Sequence, residues 1–431
     1  MSEPIPSELG DLPADWPTNR FDSLFAVQQG KQVSKKNRVG GNQCAFLRTK
    51  NVFWGRLDLS ELDEMNFTEA DERRLALSRG DLLICEGGDI GRTAIWNGEL
   101  ARCYYQNHLH RARLRNGNAS PQFVLFWLWY AFEVGSVYFG RGNATTIPNL
   151  SQSKLCELPL PVPPVDEQRK IAAVLGLVQR AMGQQERLLA LTAELKKALL
   201  HQLFTQGLRH EPQKQTEIGP IPQSWELRSI DELNLDIGDG NYSTKYPRQE
   251  EFLSKGVPFL RANNVVDGRL IWNDMRYISP ELHAELRKGH TKKDDVCLVT
   301  RGNIGEAAFV IDEFIGANMN AQLVRINGGN QINGKFLYFA LTHPATQEQF
   351  KSLKTGTALQ QLPIGKLKFV RIPIPSKDEQ VEIAESLWLV SEKRMAIERK
   401  HVALSALFRT LLHELMTARI RVHDLDVPSF S

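Results

Sequence analysis

The chain is written twice, and this internal repeat constrains the fold more than any other feature. The run FLRTKNV at 46–52 returns as FLRANNV at 259–265, an offset of 213 residues. Later matched motifs keep offsets of 212 to 214 residues up to the end of the second copy. A period this long is not that of a solenoid built from short repeats, so the sequence predicts one duplicated domain.

A duplication can be an old event without functional meaning, but the pattern of divergence favours another interpretation. The terminal segments 166–205 and 378–417 stay alike, while the stretches between the shared motifs differ strongly. This pattern is typical of a common scaffold that carries two different surfaces.

The first part of each copy predicts a mixed α/β domain. Short β-like runs flank a glycine-rich turn at 87–91, because Gly and Asp punctuate strands. The predicted strands are 81–85 and 92–96, repeated at 295–300 and 307–311, and the predicted helices are 123–132 and 334–341.

A proline-rich run, 158–164 in the first copy and 372–375 in the second, precedes a long helical segment. Proline cannot continue a helix interior, so each run predicts an extended lead-in to a helix. Asp166 and Asp378 are the predicted N-caps, with acidic residues in the first turn.

Both helical segments show a heptad-like apolar pattern with polar interruptions. The spacing predicts that the helices pair with each other in antiparallel orientation, and two separate amphipathic helices on their own domains are the alternative. The predicted seams are Ile171, Leu175, Val178, Met182, Gln185, Leu189, Thr192, Leu195, Leu199 and Leu203, and Ile383, Leu387, Val390, Arg394, Ile397, His401, Leu404, Leu407, Leu411 and Leu415.

The predicted fold class is α/β (mixed α+β), with two globular domains separated by two long helices that form an antiparallel coiled coil with pseudo-twofold symmetry. The predicted boundaries are domain 1 at 1–163, helix 1 at 164–207, a linker at 208–218, domain 2 at 219–375, helix 2 at 376–421 and a tail at 422–431.

Composition excludes some classes of protein and leaves others open. The net charge of +3 does not by itself indicate nucleic-acid binding. The five cysteines are scattered without a C-x-x-C pair, which is typical of reduced thiols. The N-terminus has no apolar signal region, and the apolar stretch 123–132 is too short to span a bilayer. These features predict a cytoplasmic protein.

Enzyme motifs are missing from the sequence. The turn at 87–91 lacks the lysine of a phosphate-binding loop, and no aminomethyltransferase motif or nuclease core is recognised. His108 and His110 form an H-x-H pair, but two ligands do not make a metal site. The acidic residues between Asp58 and Glu72 are expected to be a solvated face. We therefore predict no catalytic, cofactor or metal site.

Basic and amide residues near the predicted turns recur in both copies and are the candidate DNA-binding residues. Arg and Lys neutralise phosphates or bind guanine, Asn and Gln pair with adenine, and Gly/Thr loops approach phosphates. The candidates of the first copy are Lys31, Lys35, Lys36, Arg48, Lys50, Asn51, Asn107, His108, Arg111, Arg141, Thr145 and Thr146. Those of the second copy are Asn241, Tyr242, Lys245, Arg261, Asn263, Asn264, Arg301, Asn303, Asn320, Gln322, Thr355, Thr357, Gln360 and Gln361.

The chain resembles the specificity subunits of Type I restriction-modification systems (HsdS) over nearly its whole length. The resemblance rests on the opening Gly-x-[Ile/Leu]-Pro…Trp at 10–16 and 219–225, the Asp-Glu-Gln-x-x-Ile-Ala motif at 166–172 and 378–384, and the long helix after each. The seam of the second helix departs from an apolar pattern at Arg394 and His401.

The resemblance implies a non-catalytic subunit whose two target-recognition domains each read one half of a bipartite, gapped DNA site. It implies an antiparallel coiled coil that docks two adenine-methyltransferase subunits, with two restriction subunits as possible further partners. It implies that this chain binds no cofactor, and that S-adenosylmethionine, ATP and Mg belong to partner subunits. The alternatives are a structural coiled-coil scaffold, or a nucleic-acid enzyme with an unrecognised active site.

Overall fold

A computed structural model describes residues 5–7, 9–138, 149–241, 246–357 and 359–422. The chain divides into two units, the first made of residues 1–186 with 399–431 and the second of residues 187–398. Each unit contains one globular α/β part and one half of each long helix. The predicted mixed α/β class and its duplication are confirmed.

The first unit is organised by two small sheets. One is antiparallel, in the order Thr93–Ile95, Leu82–Cys85, Leu109–Leu114, Phe25–Gln29. In the other, Gln43–Leu47 lies between Cys103–Tyr105, which is parallel to it, and Asp63–Asn66, which is antiparallel.

The second unit repeats this arrangement with different residues. Its antiparallel sheet has the order Asp236–Asp239, Leu323–Asn327, Asp295–Val299, Ala307–Phe309. In its other sheet, Val257–Leu260 pairs antiparallel with Arg276–Ile278 and parallel with Asn318–Met319.

Short pairs of strands and short helices complete the units. The remaining strands are Ile5–Ser7, Gly10–Leu12, Thr18–Arg20, Val52–Phe53, Arg56–Leu57 and Pro159–Pro161, and Gln213–Thr216, Gly219–Pro222, Glu226–Ser229, Val265–Val266, Arg269–Leu270 and Arg371–Ile374. The α-helices are Phe21–Leu24, Glu69–Leu75, Pro121–Trp129 and Gln152–Glu157, and Pro280–Glu285, Gly334–Thr342, Pro344–Leu353 and Ile364–Leu367. A π-helical turn, Tyr130–Val134, follows Pro121–Trp129, and 3₁₀ turns lie at Lys36–Arg38, Thr49–Asn51, Gln249–Glu251, Ala262–Asn264 and Asp312–Phe314. The segment 208–218, expected to be a linker, contains the strand Gln213–Thr216.

The first long helix is Val165–Gln206 and the second is Lys377–Met416. At 42 residues, the first is about 63 Å long. The predicted N-caps are wrong, because Asp166 and Asp378 lie inside the first turns. The helix-initiating carbonyls belong to Pro164 and Ser376, which accept bonds from residues four positions later. The two aspartates still complement the positive end of each helix dipole.

The two long helices run antiparallel within each unit. In the first unit, Glu167 pairs with Arg421 at 2.6 Å and Glu186 with His401 at 3.3 Å. In the second unit, the Glu379 carboxylate accepts a hydrogen bond from the Leu208 amide at 3.1 Å. Rising residue numbers on one helix therefore meet falling numbers on the other, which confirms the predicted pairing.

The predicted seam is wrong at two equivalent positions, Leu195 and Leu407, which are 53% and 46% exposed. The next residue of each helix is turned inward instead: Phe408 is buried, and Lys196 lies over aromatic rings. A straight helix has 3.6 residues per turn and drifts from a strict seven-residue pattern, which accounts for the shift by one position.

The repeated sequence motifs hold the globular part of each unit to its helix. Trp16 Nε1 donates to Glu167 at 3.0 Å, and Trp225 Nε1 donates to Glu379 at 3.1 Å. The next residue, Gln168 or Gln380, accepts from the backbone N–H at the start of Pro121–Trp129 or Gly334–Thr342. The Trp and Glu-Gln motifs thus have a structural role, which explains why both copies retain them.

Each unit has its own apolar core between the antiparallel sheet, its main helix and the long helices. Phe123, Ile171 and Leu412 belong to that of the first unit, and Phe204, Phe336 and Leu387 to that of the second. A smaller core lies on the other face of each antiparallel sheet, against the second sheet. No helix in the described part of the chain is long and apolar enough to cross a membrane.

Candidate nucleic-acid interface

A polar cleft of about 680 Å³ lies at one end of the antiparallel sheet of the second unit. It begins where the strand Asp295–Val299 runs out into Arg301. The cleft brings together five predicted DNA-binding residues from three separate segments of the chain. Its lining residues are Arg301, Gly302, Gln322, Thr357, Leu359, Gln360 and Gln361.

Backbone hydrogen bonds fix the three segments against one another. The Thr300 N–H donates to the Gln322 carbonyl at 2.8 Å, and the Leu362 N–H donates to the Thr300 carbonyl at 2.9 Å. Thr355 and Gln361 exchange two backbone bonds of 2.9 Å, which close the loop between them. The three segments that carry the polar side chains of the cleft are therefore hydrogen-bonded to one another.

Asn320 and Asn241 are two buried residues next to this cleft. The Asn320 amide donates to Gln322 Oε1 at 2.9 Å, and its own oxygen accepts from the Gln322 N–H at 3.1 Å. Asn241 bridges Asn320 through the backbone, and both residues are buried. Asn320 therefore orients Gln322, and neither asparagine is presented at the surface.

The equivalent place in the first unit has the same backbone and different side chains. The Glu86 N–H donates to the His108 carbonyl at 3.0 Å, and the Leu150 N–H donates to the Glu86 carbonyl at 2.7 Å. The His108 side chain is 61% exposed, and its Nδ1 lies 3.8 Å from the Glu86 carboxylate. Gln29 donates to Glu86 at 3.2 Å and to the Asn107 carbonyl at 2.9 Å.

Some predicted residues fall where the structure is not described. Arg141, Thr145 and Thr146 lie in the segment 139–148, and Tyr242 and Lys245 lie in 242–245.

Several predicted cations are paired with acids. Arg48 binds Asp63 at 2.9 Å, Lys50 lies 3.5 Å from Glu61, and Arg261 binds Asp274 at 2.8 Å. Asn263 donates to the same Asp274 carboxylate at 2.9 Å. These pairs form equivalent turns in the two units, each directly after a strand of the mixed sheet.

Lys31 is largely buried and pairs with Asp71 at 2.8 Å. Burial alone would raise the pKa of Asp71, but hydrogen bonds from Lys31 and Thr68 outweigh it and hold that pKa at about 2. By contrast, Lys35 and Lys36 are exposed. Asn303 is exposed as well, and its amide lies 3.5 Å from Glu306.

Three predicted residues use their polar groups inside the protein. Asn51 accepts from the Arg48 N–H at 2.9 Å and donates to two carbonyls. Asn264 makes the same set of bonds in the second unit, and it is fully buried. Arg111 is buried and donates to the Arg74 and Ala76 carbonyls. These side chains hold turns together.

The cleft also contains residues that the sequence reasoning missed. Leu359 is 90% exposed, although it is a large apolar residue in the middle of the polar lining. In the first unit, Gln29 and Glu86 take part in the site around His108. The signal for Glu86 was its position, since it directly follows the predicted strand 81–85, while its counterpart Thr300 is the last residue of the predicted strand 295–300.

No metal site emerges from the described residues. Among them, no group of three or more His, Cys, Asp or Glu side chains is placed to hold a metal ion. His110 is buried, its Nε2 bonds to the Leu150 carbonyl at 2.9 Å, and burial lowers its pKa. The geometry offers hydrogen-bond donors and acceptors at two solvent-facing sites and supports recognition of a polar ligand.

A family model described as the Type I restriction modification DNA specificity domain matches residues 13–190 and again residues 222–403. The two matches cover more than half of the chain, and each falls on one copy of the repeat. The chain belongs to this family. The cleft of the second unit and the equivalent place in the first unit therefore lie in two DNA specificity domains, and the resemblance seen in the sequence is confirmed.

Curated relatives from Methanocaldococcus jannaschii match over nearly the full length. The putative type I restriction enzyme MjaX specificity subunit is 22% identical, with 96% of both chains covered. The MjaVIII specificity subunit is 25% identical, with 96% of this chain and 95% of that protein covered. The fold matches the crystal structure of a Type-I restriction-modification system S subunit from M. genitalium, with a TM-score of 0.61 at 17% identity over 96% of this chain and 99% of that chain.

Proposed function

We propose that the chain is the DNA sequence-specificity subunit of a Type I restriction-modification complex and reads a bipartite, gapped DNA site. One observation carries this proposal. Two specificity domains of the same backbone present different side chains at the same place: Arg301, Gln322 and Gln361 in one, His108 and Glu86 in the other. One scaffold with two different polar surfaces suits a protein that reads two different half-sites.

The side chains of the second cleft suit the edges of bases. Arg donates two hydrogen bonds to guanine, and Gln donates to and accepts from adenine. The exposed Leu359 suits a contact with the methyl group of thymine. In the first unit, Glu86 suits the amino group of cytosine, and His108 suits an acceptor on a base or phosphate. The proposed base-contacting set is therefore smaller than the predicted one and omits the buried Asn51, Asn264 and Arg111.

The partners in this proposal are double-stranded DNA, two adenine-methyltransferase subunits and restriction subunits where the system has them. The proposed target-recognition domains are 1–163 and 219–375, and the proposed docking helices are 164–207 and 376–421. The chain itself is proposed to be non-catalytic and to act in the cytoplasm. S-adenosylmethionine, ATP and Mg²⁺ would be held by its partners.

The test is methylation of genomic DNA by the full chain expressed with its methyltransferase subunit, read by methylome sequencing. We expect one gapped motif with a methylated adenine in each half. Replacing the first domain with that of another family member should change one half of this motif and leave the other half unchanged. A change in both halves, or no sequence preference, would contradict independent reading by two domains.

A second measurement tests the non-catalytic role. The purified chain alone, supplied with S-adenosylmethionine and a duplex that carries the motif, should transfer no methyl group. Methyl transfer by the isolated chain would establish the enzyme alternative instead.

A further inference from the structure

A second cavity of the second unit, about 520 Å³ in volume, adjoins the polar cleft. The two share Gly302, and Lys354 of this cavity immediately precedes the loop that carries Thr355 to Gln361. One wall comes from the long helices, where Lys196 of the first helix and Arg394 of the second both face the cavity. The polar cleft that is proposed to contact DNA is therefore continuous with this cavity, which is lined by one cation from each long helix.

Lys196 and Arg394 have no ion-pair partner among the described residues. Neither forms an ion pair with a carboxylate within the described ranges, and Arg394 Nε is buried without a hydrogen-bond acceptor. Lys196 Nζ lies 5.8 Å and 5.5 Å from the ring centres of Tyr338 and Phe339. Burial, and then the nearby Arg394, lower the pKa of Lys196 below its ordinary value.

The other charged side chains near Lys196 and Arg394 are either bonded to another residue or exposed to solvent. Arg269 pairs with Glu398 at 2.7 Å. Of the two acids that line the cavity, Glu306 lies 3.5 Å from the Asn303 amide, and Asp267 is exposed. A cation that is partly withdrawn from water without a partner costs free energy, so an unpaired pair of cations indicates a site for an anion.

The first unit provides an internal comparison, because the same place is filled there. Phe408 stands at the position of Lys196 and Met182 at that of Arg394, both at an offset of 212 residues. The Phe408 ring lies 4.7 Å from that of Trp129, which stacks on Trp54 at 5.6 Å. The scaffold can thus close this space with apolar side chains, and the second copy keeps it open and positively charged.

We propose that Lys196 and Arg394 bind one phosphate of the DNA backbone beside the half-site that the second domain reads. The inference rests on the proposed function. Phosphate contacts position a protein on DNA without carrying sequence information. The long helices would therefore take part in DNA binding through the second unit and not through the apolar equivalent place in the first. Phosphate is favoured over a protein carboxylate because the cavity opens beside the base-reading cleft.

The experiment compares K196M and R394M with wild type, each as the full chain assembled with its methyltransferase subunit. R394M introduces the residue that the first copy carries. Matched controls are K197M and K393M, which remove the exposed lysines next to each cation. Affinity is measured between about 50 and 200 mM salt for a duplex that carries the motif found by methylome sequencing. Losing one phosphate contact should reduce the slope of log K against log[salt] by about 0.9.

The expected result is a smaller slope and an affinity about tenfold lower at low salt for K196M and R394M, with unchanged preference between motif variants. K197M and K393M should keep the wild-type slope, and K196R should retain it because the charge is kept. Acylation of lysines offers a readout that needs no variant: the motif duplex should protect Lys196 and leave Lys197 reactive.

Two outcomes would overturn the inference. One is an unchanged salt slope in both variants with Lys196 unprotected by DNA. The other is loss of assembly with the methyltransferase subunit while the assembled fraction binds DNA with the wild-type slope, which would assign the cavity to a protein carboxylate. A wild-type complex that binds DNA with the expected slope but without sequence preference would refute the proposed function and not the phosphate site.

Discussion

Gln322 and His108 occupy equivalent positions in the two specificity domains, so they provide a matched pair of perturbations. The carbonyl of Gln322 accepts a hydrogen bond from the Thr300 N–H, and the carbonyl of His108 accepts the equivalent bond from the Glu86 N–H. If each reads one half-site, Q322A should weaken recognition of one half and H108A of the other. A position that reads no DNA would affect neither half.

The size of the effect follows from the contacts. A good base contact contributes about 1–3 kcal/mol of discrimination, so Q322A should lower preference for one base pair about 5- to 150-fold. The change also removes the acceptor of the Asn320 amide at 2.9 Å, which costs about 1 kcal/mol of folding free energy. In a unit that spans residues 187–398, that cost lowers the melting temperature by about 2–4 °C. His108 is mostly exposed, so H108A should leave the melting temperature nearly unchanged.

The assay is competition between the motif duplex and duplexes with single base-pair changes in either half, using the complex with the methyltransferase subunit. The double variant Q322A/H108A should show the sum of the two free-energy changes, because the two residues share no partner. Equal loss of affinity for every duplex would mean that these residues position the protein and do not read bases. An effect of Q322A on both halves would refute the assignment of one cleft to one half-site.

Three further predictions concern the framework around the cleft and around the equivalent place in the first unit. R421M leaves the Glu167 carboxylate, which is 2% exposed, without its cation. The variant should lower the free energy of unfolding by roughly 2 kcal/mol, measured by chemical denaturation. The double variant R421M/E167Q should recover part of this loss. N264A removes the acceptor of the Arg261 N–H and the donor to two carbonyls, and should cost about 2 kcal/mol, seen as a lower melting temperature. Burial, and then a neighbouring histidine, lower the pKa of His343 to about 4 from 6.5; the unfolded chain therefore binds more protons between these values, and stability should fall as pH drops from about 6.5 toward 4. The H343N variant should lose part of this pH dependence, and an unchanged profile would contradict the assignment.

Architecture could be predicted because it depends on similarity between the two copies. The repeat predicted two α/β domains, and the proline runs placed the long helices to within a residue or two of Val165 and Lys377. The seam failed at Leu195 and Leu407, because the sequence pattern does not report which of two adjacent residues turns inward. The predicted N-caps were wrong because each helix begins two residues earlier. Pro164 accepts the first helical bond with its carbonyl, and Ser376 does so as well and also accepts from the Glu379 N–H with its Oγ at 3.4 Å.

For the site, the sequence predicts only which types of residue bind DNA, and it does not predict which of those residues line the cleft. The sequence predicts Arg48, Arg261 and Arg301 for the same reason, as basic residues near predicted turns. In the fold, the Arg48 and Arg261 side chains bind Asp63 and Asp274, and Arg301 is one of the residues that line the cleft. The acids that bind Arg48 and Arg261 lie 15 and 13 residues away along the chain, so these ion pairs depend on the packing of strands and cannot be predicted from local sequence.

The duplication helps to separate structural from functional residues, because each copy serves as a reference for the other. A feature that both copies retain, such as Trp16–Glu167 and Trp225–Glu379, is explained by the scaffold alone. A feature that only one copy has needs another explanation, since the shared backbone is stable without it. Lys196 and Arg394 replace a phenylalanine and a methionine that fill the same space, and they forgo apolar burial worth about 1.5–3 kcal/mol for each side chain. Folding does not account for that loss, whereas binding of an anion does.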